Sequence, residues 1–292
     1  KPAFGDIQLD KLPVINKQHF IEPEHRGIGV IFQDYALFPH LTVAENIAFG
    51  IQKLAKTEQK ERVAHLLTLL KIDAFAARYP HQLSGGQQQR VAIARALAPQ
   101  TKLLLLDEPF SNIDARLRNE LMLELRVLLK QLGMTAIFVT HNKDEVFTFA
   151  DKVAVLNQGK ILQLGSPSEV CQLPNSWQVA DFLQLGSWIP VTCDHGRLIS
   201  LLGELPSQPY NFAKATLLIK PQNIALSTDG EANCEVNHIN ITEHGYHYVV
   251  SSLVKDSALS FNQLSFYSQS LFTIGEKVAL TIKSHTCILF QR

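Results

Sequence analysis

The sequence predicts an α/β domain with parallel strands, followed by a small all-β domain. Two observations carry this reading. Between residues 28 and 149, apolar runs of strand length alternate with stretches of helical periodicity, as in β–α–β units. Beyond Gly165, prolines at 167, 174, 190, 206 and 209 punctuate short segments rich in β-branched and aromatic residues. The expected division is 1–188, with a helical linker at its end, and 189–292.

The elements follow in order. Residues 1–32 read as short strands and turns, ending in the apolar run 28–32. From Val43 to Leu70 the period is helical, with Leu66, Leu67, Leu69 and Leu70 on one face, and Pro80 is the expected stop. Ser84 is a natural N-cap with Gln87 in capping-box position, and Pro99 stops the helix it opens. The run Leu103–Leu106 predicts a strand buried on both faces of a parallel sheet. A long helix is expected over 114–132, closed by Gly133, then a second buried strand over 135–140 and a helix over 143–149. Past residue 188, segments 234–241, 246–254 and 277–283 read as strands.

Bulk properties exclude some classes. The 292 residues hold 27 Lys+Arg and 27 Asp+Glu, so the net charge is zero and no nucleic-acid partner is expected. A hydrophobic content of 46% suits a sizeable core. The longest leucine run is far too short to span a bilayer, and the opening shows no secretory pattern. Any link to a membrane is therefore expected to run through a partner. Cys171, Cys193, Cys234 and Cys287 form no C-x-x-C pair and read as free thiols in a reducing cytoplasm. Residue 1 is Lys rather than Met, so the expectation is a processed chain or a fragment.

Chemistry concentrates in two places. An apolar strand ending in Asp107 and Glu108 puts two carboxylates at the C-terminal edge of a parallel sheet, where open α/β sheets hold ligands. The first can hold Mg²⁺ through water and the second can orient an attacking water at a terminal phosphate; a strand ending in solvated acids is the plain alternative. In Leu83-Ser-Gly-Gly-Gln87, Gly85 and Gly86 let the backbone approach a phosphate, and the following helix presents free N–H groups at its positive end. The plain alternative there is an ordinary Ser-Gly-Gly turn before a helix. Arg90 and Arg95 follow on the same helix.

Five motifs in order then resemble the ATP-binding subunit of an ABC importer, over about residues 5–185. Ile31-Phe-Gln33-Asp-Tyr-Ala-Leu-Phe-Pro-His-Leu-Thr42 resembles the Q-loop, and Leu83–Gln87 resembles the ABC signature. Asp107 and Glu108 resemble the Walker B aspartate and the catalytic glutamate, Ser111-Asn-Ile-Asp114 the D-loop, and His141 in Val-Thr-His-Asn the switch histidine. The resemblance implies a P-loop NTPase-like ABC ATPase core and an appended OB-like barrel of dimerising or regulatory role. It implies ATP and Mg²⁺ as ligands, with Glu108, His141 and Gln33 catalytic and Ser84, Gly85, Gly86, Gln87 and Asp114 on the nucleotide. Asp107 and Gln33 are implied at the metal. It further implies a head-to-tail dimer with a second ATPase subunit, permease contact near Tyr35, Phe38 and Pro39, and an indirect link to a periplasmic binding protein. Core packing is the alternative for those aromatics. The implied location is the cytoplasmic face of the inner membrane.

One half of the expected site is missing from the sequence. A P-loop needs G-x-x-x-x-G-K-[ST], but the single Gly-Lys pair, Gly159-Lys160, is followed by Ile161 and has Ala154 where the first Gly belongs. The expectation is an N-terminally truncated chain that alone binds ATP poorly, hydrolyses it negligibly and exposes apolar sheet. Ala215–Leu226 resembles the entry to the appended barrel, with a plain β appendage as the alternative. The phrases Arg26–Tyr35 and Asn112-Ile-Asp lean toward ferric iron as cargo, although sulfate, polyamine and sugar importers carry near-identical motifs. The competing class is a non-catalytic remnant that docks on an intact ATPase or a membrane subunit.

Overall fold

In the computed structural model the residues described are 5–111, 113–194, 197–205, 213–228, 230–243, 245–283 and 288–290. The chain divides into two compact units, 1–150 and 151–292. Residues 151–188, assigned from the sequence to the first domain with a helical linker at its end, group with the second unit.

The first unit opens with a hairpin of β1 (Ile7–Leu9) and β2 (Leu12–Ile15). Its centre is a three-stranded parallel sheet of β3 (Ile28–Ile31), then β4 (Leu103–Asp107) and β5 (Thr135–Val139), with β4 in the middle. The helices are α1 (Val43–Ala48), α2 (Lys56–Leu69), α3 (Gly85–Leu97), α4 (Ala115–Gln131) and α5 (Lys143–Phe149). Each start has a sequence cause. Thr42 and Glu45 form a capping box on α1, Ser84 and Gln87 on α3, and the Asp114 side chain caps α4. Gly133 takes the left-handed conformation that ends α4, at φ +61.

Two expectations fail here. The helical stretch 43–70 is broken: Gly50 and a 3-10 turn at Phe49–Ile51 separate α1 from α2. The second helix stops at Leu69, where Lys71 turns left-handed at φ 57, so Pro80 opens a 3-10 turn rather than ending a helix. Nor are the strands buried on both faces. Leu104, Leu106 and Ile31 pack with Val43, Ile47, Val91, Leu121 and Met122 in one core, but Leu103 and Leu105 are only half-buried. On the same open face Ile137 and Val139 are each 53% exposed and Val30 is 37% exposed. The helices of this unit bury one side of the sheet, and strand alternation leaves the other side apolar and open.

The second unit begins with a hairpin, β6 (Val153–Asn157) and β7 (Lys160–Gly165). Its two-residue turn has Gln158 at φ 47 and Gly159 at φ +75, the geometry of a type I′ connection. The Gly159-Lys160 pair is thus a hairpin turn. Two short helices follow, α6 (Pro167–Gln172) and α7 (Trp177–Phe182), each capped by a serine, Ser166 and Ser176.

The rest is antiparallel β. Strands β8 (Ser187–Asp194), β9 (Arg197–Ser200), β10 (Gly203–Leu205), β11 (Lys214–Ile219), β12 (Ile224–Leu226), β13 (Cys234–Thr242) and β14 (Gly245–Ser252) come first in the chain. They are followed by β15 (Leu264–Ser268), β16 (Lys277–Val278), β17 (Leu280–Ile282) and β18 (Ile288–Phe290). They form sheets in the orders β10-β9-β8-β11-β18, β15-β14-β13-β16 and β12-β17. Ile189, Leu217, Val236, Tyr248, Leu264 and Phe266 fill one core from these sheets. The Tyr248 hydroxyl donates to the Ser270 carbonyl at 2.9 Å and accepts from Phe272 N–H at 3.0 Å, which satisfies a fully buried phenol. Among the described residues no disulfide joins Cys171, Cys193 and Cys234; Cys287 lies outside the described residues, as do Pro206 and Pro209.

Burial pushes the Cys234 thiol up to about 12. Its alkylation by iodoacetamide at pH 8 should therefore be negligible in the folded chain and rapid after unfolding in urea, as read by mass spectrometry of the Cys234 peptide.

Candidate functional site

The parallel register gathers four of the expected residues at one edge. Ile31 pairs with Leu106, and Asp107 pairs with Val139. Gln33 therefore follows β3, Asp107 and Glu108 end β4, and His141 follows β5, on neighbouring strands about 4.8 Å apart. This is the carboxyl edge of the sheet, where the strands end and connections begin. Asp107 and Gln33 are exposed there.

Glu108 is held in an unusual conformation. Its φ is +44, a region that L-residues other than Gly, Asn and Asp seldom occupy. Its N–H still donates to the Val139 carbonyl at 3.0 Å, and its own carbonyl accepts from the Ser111 N–H at 3.2 Å and hydroxyl at 3.0 Å. These bonds turn the chain sharply as it leaves β4. The carboxylate then meets His141, with Nδ1 3.0 Å from Oε1. An acid and an imidazole in contact at a strand edge can pass or hold a proton and orient a water.

The Ser84–Gln87 group lies on a different element. Gln87 N–H donates to Ser84 Oγ at 3.4 Å, and Ser84 N–H donates to Gln87 Oε1 at 2.9 Å, a reciprocal cap on α3. Ser84 and Gly85 are exposed, and a side chain at Gly85 would meet open space. Gly86 is buried instead: a Cβ there would press the Leu117 and Leu121 side chains at 3.2 and 3.4 Å, so its bareness lets α3 pack on α4. Among the described residues, no hydrogen bond or ion pair joins this cap to Asp107, Glu108 or His141. Asp114 is likewise engaged locally, accepting from Leu117 N–H at 3.0 Å. Asn112 lies outside the described residues.

The aromatic stretch after Gln33 corrects the sequence reading. Tyr35 is only 4% exposed, so it belongs to the core and cannot offer its ring to a partner. Phe38 is half-buried and tilted against Phe49 with ring centres 4.2 Å apart, and the exposed residues of 34–40 are Asp34, Ala36, Pro39 and His40. What holds this segment was missed in the sequence. Tyr35 and Ala36 are both left-handed, at φ 62 and 46, and Arg95 of α3 donates to their carbonyls at 2.9 and 2.6 Å. The same guanidinium sits 5.3 Å from the Phe38 ring centre. Burial lowers the Arg95 guanidinium from its ordinary value, and Asp34 partly offsets this. Arg95 so ties the segment after Gln33 to the helix that Ser84 opens. Arg90, five residues earlier on the same helix, is spent elsewhere, on the Leu70 carbonyl and Glu124.

Comparison with known proteins follows the same lines. The ABC transporter family model matches residues 1–111. The spermidine/putrescine import ATP-binding protein PotA of Pseudomonas fluorescens is 42% identical over 269 residues, covering 86% of this chain and 71% of that protein. The chain belongs to the ATP-binding proteins of ABC transporters. The Fe(3+) ions import ATP-binding protein FbpC 1 of Pectobacterium atrosepticum is 40% identical, covering 84% of this chain and 69% of that one. The sulfate/thiosulfate import ATP-binding protein CysA of Mannheimia succiniciproducens is 36% identical, covering 89% and 77%. Among solved structures, cbiO1 from Clostridium perfringens, part of the ABC transporter complex cbiONQ, is 33% identical with a TM-score of 0.54, over 62% of this chain and 73% of that one. Family membership brings nucleotide binding with it. No described helix of this ABC ATP-binding protein is long and apolar enough to cross a membrane.

The Arg95 clamp makes a direct prediction. Arg95→Ala should cost about 2 kcal/mol in urea unfolding and open residues 33–40 to limited proteolysis, because charged hydrogen bonds to two strained carbonyls are lost. Arg95→Lys should recover only part of both effects, since an ammonium lacks the planar fork.

Proposed function

We propose that this chain is the ATP-hydrolysing subunit of an importer for a small solute, working as one half of a head-to-tail pair. The observation that carries the reading is the Glu108–His141 contact of 3.0 Å at the carboxyl edge of the sheet, beside Asp107 and Gln33. In this reading Glu108 accepts the proton of a water aimed at the terminal phosphate, and His141 orients that water and the carboxylate. Gln33 senses the same centre from the end of β3.

The metal fits this arrangement. Among the described residues no group of three or more His, Cys, Asp or Glu forms a cage. Mg²⁺ is commonly held by one or two carboxylates together with substrate phosphates, and Asp107, with Gln33 beside it, supplies the protein's share. When bound, it would neutralise charge on the phosphates. The 292 residues contain no G-x-x-x-x-G-K-[ST] run, so none of the residues assigned here is a phosphate nest of that kind.

The isolation of Ser84 from Glu108 supports action across a dimer. An exposed, capped helix start with open space over Gly85 suits an anion presented by a partner subunit. Ser84, Gly85, Gly86, Gln87 and Asp114 are assigned to that partner's nucleotide. Phe38, Pro39 and Phe49 form the surface assigned to the permease, with Tyr35 supporting it from beneath. In this reading the subunit sits peripherally at the cytoplasmic face of the membrane, linked to a periplasmic binding protein only through the permease. Residues 189–292, within the second unit, are read as the appended regulatory β domain, OB-like in kind. Relatives named for polyamines, Fe(3+) and sulfate match at similar identity, so the cargo is proposed only as a small solute, with ferric iron one of three candidates.

In the assembled transporter, Glu108→Gln should lower ATP turnover about 100-fold or more while nucleotide binding persists, as measured by phosphate release and by filter binding. Unchanged turnover would refute the reading.

A further inference from the structure

His141 is 74% exposed at its side chain and stands on the short connection between β5 and α5. Something must hold such a ring against Glu108. The two residues beside it are both tied to one hydroxyl: Thr140 Oγ1 accepts from Asn142 N–H at 3.0 Å and donates to the Glu145 carboxylate at 2.5 Å. Glu145 is only 4% exposed, and its other oxygen lies 3.8 Å from Arg118 Nη1. Arg118 projects from α4, and its Nη2 donates to the Ile113 carbonyl at 2.8 Å. Its Nε is buried with no hydrogen-bond partner. Ser111, two residues before Ile113, bonds the Glu108 carbonyl. The contacts thus close a circuit from Glu108 through Ser111–Ile113, Arg118, Glu145 and Thr140 to His141, and back to Glu108.

Burying the Glu145 carboxylate against a partly buried guanidinium is costly, and a well-packed apolar pair would often serve stability as well or better. The pair is better explained by the two loops its ends reach. We propose that Glu145 and Arg118 are positioning residues: an ion pair between a buried carboxylate and a partly buried guanidinium that fixes the Ile113–Asp114 turn and the Thr140–Asn142 loop in one mutual arrangement, and so presents His141 to Glu108. This rests on the reading of Glu108 and His141 as the hydrolytic pair. By its position the pair also couples the turn assigned to the partner's nucleotide to the residue that orients water. A purely structural pair, which only pins α4 to α5, would alter melting and leave the His141–Glu108 contact intact.

The test uses the full chain with ¹⁵N-labelled histidine rings, His141 being assigned with His141→Gln. The quantity read is the change in the His141 ring resonances caused by Glu108→Gln, in four backgrounds. The change should be clear in the unaltered chain and retained in Thr140→Ser, which keeps the hydroxyl. It should be at least about twofold smaller in Thr140→Val and in Glu145→Gln, the scale of a broken coupling between contacting residues. Thermal melts accompany each variant. If Thr140→Val loses its cooperative melt, the near-isosteric Glu145→Gln carries the comparison. An undiminished response in Thr140→Val and Glu145→Gln, or no response in the unaltered chain, overturns the proposal. No nucleotide is present, so this outcome is separate from phosphate release in the transporter, which tests the hydrolytic reading alone.

Discussion

The register of the central parallel sheet governs everything else in the first unit. With β4 between β3 and β5, the strand ends at Ile31, Asp107 and Val139 fall along one edge. The Glu108 N–H extends that register by one more bond to the Val139 carbonyl. A slip of one residue would send Leu104 and Leu106 to the open face and carry Asp107 away from β5. The same pairing therefore fixes the core and the chemistry. It does so with a strained Glu108, whose left-handed backbone is held by bonds at both of its peptide groups.

Around this edge the structure separates two groups of polar residues. Carboxylates, an amide and an imidazole gather at the strand ends. A capped helix start with bare glycine stands apart on α3. Two arginines tie these parts to their surroundings by backbone carbonyls rather than by surface ion pairs. Arg95 ties α3 to the segment after Gln33, and Arg118 ties α4 to the turn before it. Such bonds report the position of loops to helices. They offer a physical path by which docking near Phe38 can reach the helix that Ser84 opens, since the Arg95 guanidinium touches both the loop carbonyls and the Phe38 ring.

Much of this was legible in the sequence, and the omissions have physical causes. The Ser84–Gln87 cap, the Leu103–Asp107 strand and the α4 start at Asp114 are local signals, and they stand where the sequence placed them. The break between α1 and α2 was not visible, because apolar spacing continues through a 3-10 turn. Burial on both sheet faces was expected from the leucine run alone. It fails because a run of leucines records hydrophobicity, not the presence of a second covering layer. For Tyr35 the sequence left docking surface and core packing both open, and its 4% exposure decides for the core. Glu145 could not be told from an ordinary acid in a helix's first turn. Its burial depends on Thr140 and Arg118, which only the fold brings near.

In the proposed division of labour, this chain lends its Ser84–Gly86 helix start to a nucleotide held by a partner. The most direct measurement is ATP turnover by a mixed pair of this chain and a P-loop-bearing subunit whose own signature serine is replaced by arginine. The account predicts turnover at the remaining composite site, and its loss when Ser84→Arg is made in this chain. Turnover that is indifferent to Ser84→Arg would contradict the account.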